Sequence, residues 1–139
     1  MTCEERAVYC ELRDFLWLQN RIKELEFRLS ECSYKLTTSY SLTGGSGSGC
    51  HASKLEDYAL REMELLDELQ ALKARERIVK SAVQNGGLNS TERKLAECLM
   101  DGYTLAACAR RNGFYKSSVY KIRDKALKKV ALYIKNHAL

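Results

Sequence analysis

Lys116, Ser117, Tyr120 and Lys121 stand at spacings that put all four on one side of a helix within two turns. Ammonium and hydroxyl groups donate hydrogen bonds to phosphate oxygens or base edges, and a tyrosine ring stacks on sugar or touches a thymine methyl. Arg110, Arg111, Lys125, Lys128 and Lys129 lie close by in sequence and suit phosphate contacts, which position a protein on a duplex without reading it. Catalytic chemistry has far less support. The only histidines are His51 and His137, and no nucleophile motif or metal-carboxylate cluster accompanies them. The run Gly44-Gly45-Ser46-Gly47-Ser48-Gly49 lacks the strand, lysine and hydroxyl residue that a phosphate-cradling loop requires. Cys3, Cys10, Cys32, Cys50, Cys98 and Cys108 are scattered without a CxxC pair, which argues against both a zinc site and a disulfide framework. Cys50-His51 offers two adjacent metal ligands and no others. No catalytic residue, metal or cofactor is expected.

Charge is divided unevenly. Residues 88–139 carry eleven Lys/Arg against four Asp/Glu, whereas residues 1–87 carry twelve against fourteen, so the modest net charge of +5 hides a basic C-terminal third. That asymmetry is the electrostatic footprint of a nucleic-acid module on a neutral attachment. Nothing near the N-terminus resembles a signal peptide, since Arg13 and Asp14 interrupt the apolar run, and no stretch is long and apolar enough to span a membrane. A cytoplasmic protein without membrane contact is expected.

The elements that must hold these side chains are helices. Proline is absent, so glycine is the strong breaker available, and it clusters at 44–49, 86–87, 102 and 113. Between Thr2 and Lys35 the residues Val8, Phe15, Ile22 and Leu29 recur every seven positions, with Leu18, Leu25 and Cys32 between them, predicting one continuous helix packed lengthwise on another. Leu12, Leu16, Trp17 and Phe27 widen its apolar stripe. Residues 37–50 form a Ser/Thr/Gly connector that reads as flexible. A second helix is predicted over 53–83 on Leu55, Tyr58, Leu65, Leu69, Leu72 and Val79, with Glu62 and Glu76 interrupting its seam. Two such helices in succession predict a long antiparallel, coiled-coil-like hairpin over residues 1–85.

A three-helix domain follows over 88–139. Asn89 and Glu92 form a capping box for a helix ending before Gly102, and Thr104 caps a short second helix over 105–111. Ala109 is the small residue needed where that helix meets the next, and Gly113 allows the positive φ of the turn four residues later. Phe114, Val119 and Ile122 then supply the inward apolar positions of a third helix beginning near Lys116. This is the pattern of a helix-turn-helix. Asp124, on the groove side, would repel phosphates unless it pairs with Lys121 or Lys128 along the helix.

The run from Leu88 to Val130 resembles region 4 of bacterial sigma factors and related response-regulator modules. The residues carrying the likeness are Glu92-Arg93, Leu95, Gly102, Thr104, Ala109, Gly113, Ser118-Val119-Tyr120 and Ala126-Leu127. With its hairpin included, the chain is similar to phage-encoded RinA/ArpU-like transcriptional regulators. Family modules have leucine where this chain has Asn112, a position that normally faces the core. The resemblance implies a regulator of phage or prophage late genes acting in a bacterial host cell. From the residues themselves, double-stranded DNA is the expected partner and Thr104, Arg110, Arg111, Lys116, Ser117, Ser118, Tyr120, Lys121, Lys125 and Lys128 are the expected contacts. A homo-oligomer, dimeric or higher, is expected because one small module buries little surface, and RNA polymerase is a further expected partner. Two alternatives stay open: a small terminase subunit that recognises phage DNA for packaging, and a helical adaptor or antirepressor that binds only protein.

Overall fold

The computed structural model describes residues 1–42 and 50–137, with side chains described for 1–31 and 56–137. The described residues form helices and no strands. In chain order these are α1 (Cys3–Arg13), α2 (Phe15–Leu42), α3 (Cys50–Asn85), α4 (Ser90–Met100), α5 (Leu105–Asn112) and α6 (Lys116–His137). The expected all-α architecture is present, and its differences from expectation are local. The first helix is interrupted at Asp14, whose φ of −91° and ψ of 4° end α1 before α2 begins one residue later. Hydrogen bonds from the Asp14 amide to Cys10 O and from the Leu18 amide to Asp14 O (2.9 Å each) carry the chain across the break. The expected connector at 37–50 is shorter, because helix persists to Leu42 and resumes at Cys50; residues 43–49, and the side chains of Cys32, Cys50 and His51, lie outside the described residues.

The chain divides into two compact units, Asn20–Lys73 and Met1–Gln19 with Ala74–Leu139. In the first, Ile22 and Leu25 of α2 and Leu69 and Leu72 of α3 are buried. Ion pairs Arg21–Glu68 (3.1 Å) and Lys73–Glu26 (3.0 Å) bridge the two helices. These pairs are exposed and contribute little each, so the apolar seam holds the helices together. Leu60, Met63 and Leu66 of α3 and Phe27 of α2 remain exposed. Phe27, like Leu16 and Trp17 in the other unit, therefore does not widen a buried stripe as its spacing suggested.

The second unit brings both ends of the chain together: α1, the start of α2 and the end of α3 fall in it with α4–α6, and α1 packs on α4 and α6. Val8, Leu12, Phe15, Leu18, Val79 and Val83 complete a core containing Leu95, Leu99, Leu127 and Val130, all at most 7% exposed. α1 opens with its own capping box, in which the Thr2 hydroxyl accepts from the Glu5 amide (3.2 Å) and Glu5 Oε2 accepts from the Thr2 amide (3.3 Å). No helix among the described residues is long and apolar enough to cross a membrane.

Candidate nucleic-acid interface

α4 sets the base of the site. Asn89 Oδ1 accepts from the Glu92 amide at 2.9 Å, and Glu92 Oε2 accepts from the Asn89 amide at 3.3 Å, completing the predicted capping box. Glu92 is 2% exposed and also accepts from Lys129 Nζ at 2.8 Å, tying α4 to α6. Lys129 is thus committed to a buried carboxylate, which sets it apart from the lysines expected to face phosphates.

Gly102, at φ +91°, turns the chain into Thr104, whose hydroxyl accepts from the Ala107 amide (3.2 Å) and caps α5. Thr104 is exposed, but its oxygen already serves this cap. α5 buries Cys108 and Ala109 and presents Arg110 and Arg111 outward. Cys108 is fully buried; that burial, reinforced by a hydrogen bond with Cys98, pushes its thiol up to about 12. Arg111 lies 4.2 Å from the centre of the Tyr103 ring and donates to its hydroxyl at 2.9 Å, so its guanidinium is held at the surface.

Gly113 ends α5 in the left-handed conformation, φ +69° and ψ 27°, and the amides of Gly113 and Phe114 both turn back to Ala109 O. Asn112 does not need the leucine's place in the core: half-buried, it donates from Nδ2 to Cys108 O at 3.0 Å, satisfying a carbonyl at the helix end. α6 starts at Lys116, as the spacing predicts, and Ala109 (4% exposed) and Val119 (3%) are buried where the two helices meet. A shallow cleft along this junction is lined by Leu105, Ala109, Arg110, Phe114, Lys116 and Tyr120.

Of the residues singled out, Arg110, Arg111, Lys116, Ser117, Tyr120, Lys121, Lys125 and Lys128 are exposed. Ser118 is half-buried, and its amide donates to Tyr115 O at 3.1 Å, which makes it part of the α6 start rather than of the exposed face. Ile122 is half-buried. Asp124 pairs with Arg123 (3.0 Å) instead of Lys121 or Lys128. Adjacent residues on a helix rarely face each other, yet the long guanidinium arm of Arg123 reaches round to it. The charge that Asp124 would set against phosphates is thereby offset.

Beside α6, Tyr9, Arg13 and Arg123 form a cation–aromatic row with Tyr120. Arg123 also lies 5.2 Å from the centre of the Tyr120 ring and 5.5 Å from that of Tyr9 in α1, and Arg13 lies 5.6 Å from Tyr9 on its own account. The spacing of Tyr9 and Arg13 by four, one flank round from buried Val8 and Leu12, was the available signal. No group of three or more His, Cys, Asp or Glu among the described residues could hold a metal ion. No known family, curated protein or solved structure matches the chain.

Proposed function

We propose that the chain is a sequence-specific DNA-binding regulator of transcription that reads the major groove with the first two turns of α6. One observation carries the reading. Lys116, Ser117, Tyr120 and Lys121 are exposed together at a helix start that follows a left-handed turn and has no acidic residue in its first turn. A lysine at a helix N-terminus opposes the helix dipole, so Lys116 there is favourable when an anion occupies the position. Arg110 and Arg111 lie one turn-crossing away, and Lys125 and Lys128 extend the basic face along α6. Phage late-gene control is the setting that the likeness to RinA/ArpU-like regulators suggests.

Self-association is part of the same reading. Leu60, Met63 and Leu66 are exposed at successive three-residue steps of α3, and an apolar row of this kind is suited to a second copy. A dimer would present two α6 helices to two half-sites.

Duplex binding measured against salt tests the proposal. Affinity should fall steeply as salt rises, and Lys121→Ala should weaken it at every salt concentration. Absence of binding to any duplex at low salt refutes it and favours an adaptor that binds only protein. A solution mass corresponding to a ring of about eight or more subunits would instead favour a packaging role.

A further inference from the structure

The cation–aromatic row beside α6 extends the charged surface onto an element outside the helix-turn-helix. It runs from Tyr120 through Arg123 to Tyr9 and ends at Arg13 in the last turn of α1. Its two guanidinium groups are not equivalent. Arg123 is half-buried, held between two tyrosine rings and neutralised by Asp124. Arg13 is exposed and makes no ion pair among the described residues. Both cations approach the same Tyr9 ring at nearly equal distance, 5.5 and 5.6 Å, and only that of Arg123 has a carboxylate beside it.

We infer that α1 contributes to the duplex-contacting surface, with Arg13 holding a backbone phosphate next to the segment read by α6, and with Tyr9 and Arg123 as the positioning residues that set it there. The inference rests on the duplex-binding reading above and adds an element to it. Three features support a nucleic-acid phosphate as the occupant. The row is continuous with Tyr120 on the exposed α6 face. Arginine is suited to phosphate because its planar fork can donate twice to one group. The aromatic support fixes a long side chain that would otherwise lose entropy on binding. The packing of α1 on α6 in one compact unit makes the spacing between Arg13 and the α6 face a fixed quantity.

The experiment uses the full chain and a duplex that it binds, titrated over a range of salt concentrations. Arg13→Gln removes the charge; Arg77→Gln, at an exposed position of α3, removes the same charge elsewhere. Arg13→Gln should weaken binding roughly three- to tenfold and lower the salt slope by about one, while Arg77→Gln leaves both near the wild-type values. Arg13→Lys should restore most of the slope, which separates a lost phosphate contact from a disturbed fold. If Arg13→Gln behaves like Arg77→Gln while Lys121→Ala still weakens binding, α1 plays no part and the duplex reading stands. If the wild-type chain binds no duplex, both fall together.

Discussion

Replacing Gly113 by alanine should lower the folding stability by about 1 kcal/mol. Gly113 sits at φ +69°, and no heavy atom lies within 4 Å of the place a Cβ would take, so the substitution meets no obstacle. What remains is the backbone term. An alanine in the left-handed region costs about 1–2 kcal/mol, and roughly 0.4–1 kcal/mol of that is returned because alanine restricts the unfolded chain more than glycine does. A drop of about 1 kcal/mol corresponds to a melting temperature lower by roughly 3–5 °C in a chain of this size. Gly113→Asn should cost less, since asparagine tolerates that conformation better. Urea unfolding followed by helical circular dichroism measures all three proteins. With the turn held by two amides on Ala109 O, the strain should lower stability while duplex affinity, measured well below the melting temperature, is retained. An alanine variant as stable as the wild type, or equal losses for alanine and asparagine, would refute the reasoning.

Glu92→Ala should cost about 2–3 kcal/mol in the same assay, because it removes a capping carboxylate and strands Lys129; Glu92→Gln, which keeps the cap and loses only the charge, should cost less. Thiol labelling of the folded protein, located by mass spectrometry, should modify exposed Cys3 and Cys10 rapidly and buried Cys98 and Cys108 only on unfolding. The Cys108 value is raised, so its neutral form is the one the fold favours. Its contribution to stability is complete below the ordinary value of 9.0 and is lost as pH rises toward about 12, and stability measured between pH 7 and 8.5 should not change on its account.

Signals that depend on a few neighbouring residues were legible in the sequence. The Asn89–Glu92 box, the Thr104 cap and the left-handed Gly113 are local devices, and each stands where its residue types place it. The start of α6 at Lys116 follows from them. What depends on distant partners was not legible. Nothing local at Asp14 announces a break, since neither glycine nor proline is there. Lys129 looks like any surface lysine until Glu92, far away in sequence, is seen to be buried beneath it. Heptad spacing from Val8 to Leu29 was correctly helical, but periodicity names no partner. It could not disclose that Val8 and Leu12 serve the core of α4–α6 while Ile22 and Leu25 face α3. The row formed by Tyr9, Arg13 and Arg123 escaped notice for the same reason, since it joins α1 to α6.

The unit that carries α6 is assembled from two stretches of chain on either side of the Asn20–Lys73 excursion. Closing so large a loop has an entropic cost that must be met before the contacts between its ends return anything, which slows folding relative to a module built from adjacent helices. During synthesis, α1 leaves the ribosome long before α4 and α6 exist, and its apolar side has nothing to cover it in that interval. A fragment cut at residue 88 to isolate the basic module would lose Val8, Leu12, Phe15 and Val79 from its core and should be recovered as a loosely packed or aggregating species. Both distant segments contribute to one core, so shortening the excursion between them should be tolerated far better than trimming either one.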